Sequence, residues 1–418
     1  MRLLQVSPLY NKTEGMYGHP WIYSTIFNVS LSAACQPVPS SLSQQRVGLR
    51  RLHSPAFAPA FLGPQFGGRS GLYGRPAQLA NGLKAAVAYN RTRPNQALVG
   101  AGAAPEAIEQ DPLMFDLLFE SLWAPVGAAD LGTWLGRWAE RRYHVYGEST
   151  PPALLSAWAL LLEGPYGCTR PQQGPVGSII AARPAMDIPH VSCCDQTDLY
   201  YAPGALVDAW AQLLSLDESA AAPFAAQPTY LHDVADVGVQ VLSNLVLDAH
   251  AEAVAAATRS PPDRAAFQAA ASRLLGIVND TEALARQMPG RLVGEWIQTA
   301  RDCADEGDAE AAALYELNAR TIITLWGSST SGLHEYSYRL WSGLIADFYY
   351  PRWDAWFEAV DGALAAQKPF DQSAFVAAIE ELEERWTKAT KAYPTQSSGG
   401  LREARAIYHK HFSPGSVR

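Results

Sequence analysis

The residue best placed to do chemistry in this chain is Glu106, in the stretch ALVGAGAAPEAIEQDPLMFDLLFESLW of residues 97–123. Residues 97–99 predict the end of a buried strand, because glycines and a proline follow them. Asp111 and Pro112 predict a helix start, with a side-chain cap and the residue favoured at the first helical position. In an α/β barrel, catalytic side chains collect in such loops at the carboxyl ends of the strands. The sequence therefore favours Glu106 as a catalytic carboxylate.

Two other interpretations of this stretch stay open. Glu106 can be a solvated carboxylate near a helix amino terminus, where the helix dipole favours negative charge. A dinucleotide-binding loop is the weaker alternative. Gly100 and Gly102 lack the third glycine of that fingerprint, and no strand-loop-helix-strand unit follows.

Upstream of Glu106 the chain alternates between strand and helix patterns. Residues 21–28 are rich in β-branched and aromatic side chains and predict a buried strand. Residues 77–90 carry apolar side chains at helical spacing and predict an amphipathic helix. Residues 29–65 contain Ser, Gln, Pro and Arg without either period. We therefore expect an irregular insertion there.

After residue 123 apolar residues recur at three- and four-residue spacing, which predicts helices. These cover residues 131–145, 152–163, 203–216, 230–258, 262–287, 291–302, 308–325, 333–365, 372–392 and 401–412. No interval repeats, so an irregular helical domain is favoured over a solenoid. The part before Gly127 is too short for a whole (β/α)8 barrel, which needs about 200 residues or more. The sequence predicts a mainly α chain: a carboxyl-terminal barrel fragment at residues 1–127 and an all-α domain at 128–418.

The composition narrows the class of partner. The 418 residues carry a formal net charge of -9, which argues against nucleic acid or an anionic membrane, since both require a basic face. Twelve Trp and eighteen Tyr suit stacking on sugar rings as well as ordinary cores. No apolar run approaches transmembrane length, and the amino-terminal residues lack the apolar region of a signal peptide. A polar small molecule or a glycan is the favoured partner.

The cysteines and the glycosylation triplets provide information about the cellular compartment of the protein. The five cysteines are odd in number and lack the spacing of a zinc site, so we predict no metal. Cys168 could close one loop with Cys193 or Cys194 if the protein is secreted. The Asn-x-Ser/Thr triplets begin at Asn11, Asn28, Asn90 and Asn279. They indicate the same compartment, although such triplets also arise by chance.

The most distinctive stretch is LWGSSTSGLHEYSYRLWSGLIADFYYPRWDAWFEA at residues 325–359. It predicts a helix end at Gly327, a short polar loop and a helix restart at His334. Together with NARTIITLWG, YYPRW and VGAGAAPE, it resembles the α-N-acetylglucosaminidase family. Members of that family cleave terminal α-linked N-acetylglucosamine from glycans such as heparan sulfate. The resemblance runs from about residue 62 to residue 412 and carries its motifs in the same order.

The resemblance implies a small amino-terminal domain, a (β/α)8 barrel and an all-α carboxyl domain that closes over the barrel mouth. It implies that Glu106 is the catalytic nucleophile. It also implies that Trp326 and Tyr336 line the sugar pocket and that Leu333 makes an apolar contact there. Because the family is lysosomal in animals, a lysosomal, vacuolar or secreted location is expected.

Two departures from the family pattern affect these expectations. Relatives carry a continuous W-C-x-L-x-N-F-G-G segment, whereas here Tyr23 replaces the Trp and residues 29–65 separate Asn28 from Phe-Gly-Gly at 66–68. We interpret the insertion as untranslated sequence, such as an unspliced intron. The family's acid/base glutamate, which lies upstream in an Asn-Glu segment, has no counterpart here. We therefore expect an incomplete catalytic site.

Hydrolysis with retention needs one carboxylate to attack the anomeric carbon and a second, about 5 to 5.5 Å away, to protonate the leaving oxygen. Glu106 supplies the first role, and the mechanism needs no cofactor. We predict an α-N-acetylglucosaminidase-like glycoside hydrolase that is incomplete in this chain and inactive by itself. The alternative is a non-catalytic helical sugar-binding or interaction protein left from a truncated hydrolase. Nothing in the sequence indicates an oligomeric state.

Overall fold

The structure is a computed structural model that describes residues 2–4, 21–26, 71–92, 98–104, 111–124, 126–169, 174–192 and 195–413. Glu106, the predicted insertion at 29–65, Cys193 and Cys194 lie outside the described residues. Within the described ranges the chain is mainly helical, with short strands in its amino-terminal part. The prediction of a mainly α chain is confirmed.

The elements follow one another in a simple order. The strands are β1 (Arg2–Leu4), β2 (Trp21–Ile26) and β3 (Leu98–Ala104). Helix α1 (Pro76–Arg91) precedes β3, and helix α2 (Pro112–Trp123) follows it. The later helices are α3 (Leu131–Arg142), α4 (Pro152–Glu163), α5 (Pro203–Leu214), α6 (Glu218–Ala225), α7 (Pro228–Thr258), α8 (Arg264–Ala285), α9 (Val293–Arg301), α10 (Ala309–Ile322), α11 (Tyr350–Ala365), α12 (Gln372–Thr387) and α13 (Arg402–Phe412).

The described strands form a parallel sheet with β2 in the centre. Ile22 pairs with Gly100, and Ile26 pairs with Ala104. The prediction that Gly100 and Gly102 break this strand was wrong, because β3 continues through both glycines. The ladder depends on backbone N–H and carbonyl groups, which glycine supplies as other residues do.

Helix α2 begins where the sequence predicts it. The Asp111 side chain accepts the Leu113 backbone N–H at 3.1 Å, and Pro112 occupies the first helical turn. This arrangement satisfies an N–H group that has no partner within the helix. The Tyr166 hydroxyl donates to the other Asp111 oxygen at 2.5 Å. The cap therefore also anchors the segment around Tyr166 to the start of α2.

The chain divides into two compact units. The first, called the strand unit here, comprises residues 1–69, 73–135 and 165–175; the second, the helical unit, comprises residues 70–72, 136–164 and 176–418. The division passes through α3, after Leu135. The predicted domain boundary near Gly127 stays a prediction.

Helix α7 is the centre of the helical unit. It is 31 residues long, and residues 233–244 are all buried, so neighbouring elements cover every face of this part. Helices α5 and α8 pack against it. Gly238 permits their approach, because a Cβ at this position would lie 2.6 Å from both Trp210 of α5 and Leu284 of α8.

Polar side chains in the buried part of α7 make hydrogen bonds. Asp233 accepts two bonds from Arg142, each at 2.6 Å. Gln240 accepts the Leu72 backbone N–H at 3.0 Å and donates to Asn244 at 3.2 Å. Leaving a buried polar group without a partner costs about 1–3 kcal/mol. The contacts with Arg142 and Leu72 therefore help to fix the orientation of α7 within the helical unit.

Aspartate caps define the starts of several described helices. The side chains of Asp217, Asp263, Asp308 and Asp371 each accept the backbone N–H of the residue three positions ahead. Such caps stabilise a helix by about 1 kcal/mol. Because the signal is local, it marks helix starts in the sequence itself.

None of the helices in the described ranges combines the length and the apolar character needed to cross a membrane. Those ranges also hold no group of three or more His, Cys, Asp or Glu side chains placed to bind a metal ion. Cys168 is a buried thiol.

Candidate functional site

The segment between α10 and α11 departs from the prediction. No helix restarts at His334; residues 333–343 form turns and irregular backbone, and helical structure resumes with the π-helical turn Ile345–Tyr349. Glu335 is one physical reason, because its φ of 56° lies in the left-handed region that a right-handed helix excludes. We call residues 323–336 the aromatic loop, since they carry Trp326 near one end and Tyr336 at the other.

Helix α10 ends with a sharp turn of the chain into the aromatic loop. Trp326 has a φ of 56°, a conformation that costs a non-glycine residue about 1–2 kcal/mol. Its backbone N–H donates to the Thr321 carbonyl at 2.8 Å. Left-handed residues are usual at helix carboxyl ends, where glycine mostly provides them. A tryptophan in this conformation indicates that the surrounding structure holds it there.

One backbone hydrogen bond joins the two sides of the aromatic loop: the Glu335 N–H donates to the Thr324 carbonyl at 2.6 Å. Next to it, the Tyr336 N–H donates to the Leu333 carbonyl at 3.1 Å within a local turn. As a result, the ring centroids of Trp326 and Tyr336 lie 4.8 Å apart, with their planes at 58°. Both residues are partly exposed. The loop therefore presents an aromatic pair at its surface.

The predicted sugar contacts thus share one loop. Trp326 and Tyr336 touch each other, and Leu333 lies three residues before Tyr336 with 41% of its surface exposed. Aromatic faces beside an apolar side chain suit the apolar face of a sugar ring. Glu106 lies outside the described residues, so the structure does not relate it to the loop. The roles of all four residues stay predictions.

A buried ionic network joins the aromatic loop to other parts of the helical unit. Arg352 of α11 lies 2.6 Å from Glu335 and 2.8 Å from Glu383 of α12, and none of these three side chains is exposed. Arg183 lies 2.7 Å from Glu383 and donates to the Ser329 carbonyl at 2.7 Å. We call Arg183, Glu335, Arg352 and Glu383 the Arg352 network. It contacts the aromatic loop at both Ser329 and Glu335.

Charge pairing keeps the centre of this network ionised. Burial alone would raise the pKa of Glu335, but the Arg352 charge beside it and a hydrogen bond with His334 hold that pKa below its usual range. Burial alone would lower the pKa of Arg352, yet the charges of Glu335 and Glu383 raise it. Each group therefore favours the charged form of the other. Removing Arg352 would leave the buried carboxylate of Glu335 without its guanidinium partner.

The network residues are functional candidates that sequence reasoning missed. Arg352 belongs to the YYPRW motif and Glu335 precedes Tyr336, so both lie in the distinctive stretch at 325–359. The sequence did contain one signal, which was a charged residue among large aromatic side chains. If such a charged residue is buried with its neighbours it should have a partner, because arginine and glutamate are rarely buried unless paired. Arg183 and Glu383 gave no comparable local signal. Arg183 and Glu383 meet their partners only in the tertiary fold.

The aromatic loop and the Arg352 network lie within a stretch that matches a known family. The family model described as the alpha-N-acetylglucosaminidase (NAGLU) C-terminal domain matches residues 134–410. This chain belongs to the alpha-N-acetylglucosaminidase family. The model of the family's tim-barrel domain matches residues 61–125. This second match confirms that a barrel fragment precedes the helical domain.

The relatives of this chain are considerably longer than it is. Human alpha-N-acetylglucosaminidase is 30% identical over 349 residues, which cover 83% of this chain and 44% of the human protein. A family 89 glycoside hydrolase from Clostridium perfringens, with two glutamates replaced by glutamine and in complex with its substrate GlcNAc-alpha-1,4-galactose, is 26% identical with a TM-score of 0.78. The same hydrolase in complex with PUGNAc is 27% identical with a TM-score of 0.77. These matches cover 99% of this chain and 41% of the bacterial chain. The chain therefore spans less than half the length of these relatives.

Proposed function

We propose that this chain is part of an α-N-acetylglucosaminidase, a glycoside hydrolase that removes terminal α-linked N-acetylglucosamine from glycans such as heparan sulfate. The observation that carries the proposal is the aromatic pair of Trp326 and Tyr336, with centroids 4.8 Å apart on a partly exposed loop. The family membership of the chain and the α-linked N-acetylglucosamine substrate bound by the bacterial relative support the same sugar. In this proposal the two rings and Leu333 contact the sugar.

Glu106 is the proposed nucleophile. It follows the last residue of β3 by two positions in the sequence, and catalytic residues of barrel enzymes collect after the carboxyl ends of strands. In the first step a Glu106 carboxylate oxygen bonds to the anomeric carbon while the glycosidic bond breaks. A second carboxylic acid gives its proton to the leaving oxygen. It then takes a proton from the water that hydrolyses the glycosyl ester, so configuration is retained.

We assign no residue of this chain to the acid/base role. No Asn-Glu pair precedes Glu106 in the sequence, and that pair marks the role in the family pattern. The proposed reaction needs no cofactor, because both steps are proton transfers and displacements at carbon.

The nucleophile assignment is tested in the longest transcript-supported reading frame that contains these residues. We expect hydrolysis of 4-methylumbelliferyl α-N-acetylglucosaminide, and we expect Glu106→Gln to reduce kcat by several orders of magnitude, since an amide cannot form the glycosyl ester. Glu109→Gln, three residues away, is the matched control and should stay active. Retention of more than about a tenth of kcat in Glu106→Gln, a barrier change below about 1.4 kcal/mol, would remove Glu106 from the nucleophile role.

A non-catalytic sugar-binding protein is the competing outcome of the same assay. It would be indicated if the chain binds methyl α-N-acetylglucosaminide while no reading frame that contains it hydrolyses the fluorogenic substrate. Binding without turnover would leave the aromatic loop in its proposed role. It would remove the assignment of Glu106.

We also propose a lysosomal, vacuolar or secreted location, as expected from the family resemblance. Two of the glycosylation triplets lie in described residues, and both are in helices: Asn90 in α1 and Asn279 in α8. The Asn90 side-chain oxygen also accepts the Leu98 backbone N–H at 2.8 Å. Accepted triplets usually lie in surface loops. Fractionation of the native protein, with endoglycosidase treatment, tests both the location and the glycan.

A further inference from the structure

Glu335 combines two features that are unfavourable for a glutamate. Its side chain is fully buried, and its backbone has a φ of 56°. The left-handed conformation is rare for a residue with a side chain of this size, and a buried carboxylate requires compensation. One carboxylate oxygen accepts a bond from Arg352 at 2.6 Å, and the other contacts the His334 ring. These contacts therefore stabilise the buried carboxylate and offset the cost of the left-handed backbone at Glu335.

Arg352 is itself fixed by segments that do not belong to the aromatic loop. It donates to Glu383 of α12 at 2.8 Å and to the Ala182 carbonyl at 3.1 Å. Through Glu383 and Arg183 the same network reaches Ser329, in the middle of the loop. Arg352 therefore ties the Glu335 carboxylate to the body of the helical unit, while His334 contacts its other oxygen from within the loop.

Tyr336 follows Glu335 directly, so the backbone conformation of Glu335 sets the position from which the Tyr336 side chain extends. The Glu335 N–H also donates to the Thr324 carbonyl at 2.6 Å, two residues before Trp326. Both rings of the aromatic pair are thus connected to Glu335 through short backbone segments. A shift of Glu335 would change the 4.8 Å separation of the two rings.

We propose that Glu335 is a positioning residue for sugar binding: its carboxylate, held by Arg352, orients Tyr336 against Trp326 so that the pair forms one surface for an N-acetylhexosamine ring. This inference rests on the proposed function for its ligand, but its structural part concerns the two rings alone. Glu335 does not touch the sugar in this scheme. Its substitution weakens sugar binding by disordering the pair.

The experiment compares three variants of the full chain labelled with 5-fluorotryptophan. Glu335→Gln removes the charge and keeps the shape, whereas Glu335→Gly removes the carboxylate and relieves the left-handed backbone. Gln367→Gly is the matched control, because Gln367 is an exposed non-glycine residue with a φ of 52° outside the loop. The Trp326 fluorine resonance is assigned with Trp326→Phe. Its dependence on the Tyr336 ring is calibrated with Tyr336→Leu.

We expect both Glu335 variants to move the Trp326 resonance toward its position in Tyr336→Leu. We also expect them to weaken binding of methyl α-N-acetylglucosaminide by about tenfold or more, as small misplacements of positioning groups do. Gln367→Gly should change neither measurement. A folded Glu335→Gly that keeps the wild-type resonance and affinity would overturn the inference, because the carboxylate would then be dispensable.

A variant that fails to fold and a wild-type chain that fails to bind the sugar have different consequences. If Glu335→Gln does not fold, the double variant Glu335→Gln/Arg352→Gln replaces it, since that variant leaves Arg183 paired with Glu383 and no unpaired buried charge. A wild-type resonance and affinity in the double variant would again overturn the inference. If the wild-type chain does not bind the sugar, the binding part of the proposed function fails. In that case the comparison of the Trp326 resonances is the only test of the positioning role of Glu335.

Discussion

The guanidinium of Arg352 lies 2.6 Å from the carboxylate of Glu335, and neither side chain is exposed to solvent. An ion pair in this environment has little water to screen it, so Glu335 depends on Arg352 for compensation, whereas Arg352 is also paired with Glu383. Seventeen residues separate the two along the chain. The pair therefore ties the aromatic loop to α11.

Loss of Arg352 is predicted to destabilise the fold strongly. Arg352→Met leaves Glu335 without its cationic partner and Glu383 with Arg183 alone, and breaking a buried pair from one side costs about 3–5 kcal/mol. Urea denaturation followed by circular dichroism measures the change. Arg264→Met is the control, because Arg264 also pairs with a carboxylate, donating two bonds to Asp361 at 2.7 Å, but lies at the protein surface. An equal loss of stability in both variants would contradict the role of burial.

The Arg142–Asp233 pair predicts a defined pH dependence of stability. Burial alone would raise the pKa of Asp233, but the charge and hydrogen bonds of Arg142 hold that pKa below its usual range. A carboxyl group whose pKa is lower in the folded state than in the unfolded state, where it is about 3.9, stabilises the fold at pH values above the unfolded pKa. This stability is lost as the pH falls through the folded pKa. Asp233→Asn should therefore unfold at lower urea concentration than wild type near neutral pH. The difference should shrink once the pH falls below about 4.

The control for this prediction is Asp248→Asn, which changes an exposed carboxylate on the same helix α7. Its urea midpoint should stay close to that of wild type throughout the titration. A gap between wild type and Asp233→Asn that stays constant from pH 7 to pH 3 would show that the charge of Asp233 is not the source of the stability.

The exposed position of the aromatic pair predicts a separation between binding and stability. Trp326→Ala and Tyr336→Ala should weaken binding of methyl α-N-acetylglucosaminide while the melting temperature changes little, because both residues are partly exposed. Trp353→Ala is the contrasting variant, since Trp353 is fully buried and truncating such a residue costs about 3–5 kcal/mol. Unchanged sugar affinity together with a large drop in melting temperature for Trp326→Ala would assign Trp326 to the core instead.

Replacing either of two glycines by alanine should change the stability of the protein, but in opposite directions. Gly343 has a φ of 86°, and a Cβ there would lie 2.6 Å from the Tyr393 ring and 2.8 Å from Val293. Gly343→Ala should therefore destabilise the protein by about 1–2 kcal/mol from the backbone alone, with steric overlap in addition. A Cβ at Gly362, inside α11, would meet no atom within 4 Å. Gly362→Ala should stabilise by about 0.5–1 kcal/mol.

Thermal melting of the two alanine variants side by side provides the measurement. The shifts should have opposite signs. Equal shifts would mean that the surroundings of Gly343 rearrange to accept the methyl group.

Local signals explain which parts of the fold were predictable. The bounds of α4, residues 152–163, agree with the prediction because prolines start the helix and a glycine follows it. Asp111 and Pro112 fixed the start of α2 in the same way. Helix α6 was not predicted, although Asp217 caps it, because the helix has only eight residues and contains Pro223. Short elements carry too few periodic positions for the pattern to identify them.

The predictions failed where distant residues decide the backbone. Apolar spacing at residues 333–343 resembles a helix, but Glu335 takes a left-handed conformation beside Arg352. The family resemblance nevertheless predicted that Trp326 and Tyr336 lie together at a sugar pocket, and the structure brings the two rings into contact. The Arg352 network could not be predicted, because Arg183 and Glu383 come from segments far from that loop in the sequence. No periodicity relates them.

The sequence separation within the Arg352 network has a consequence for the lifetime of the folded protein. Arg183 and Glu383 are 200 residues apart, and contacts across such distances form only after much of the chain is already ordered. Interactions that are absent from the folding transition state act mainly on the unfolding rate. We therefore expect the network to slow unfolding more than it changes the folding rate. On this expectation it would give the helical unit kinetic resistance to proteases that attack the unfolded chain.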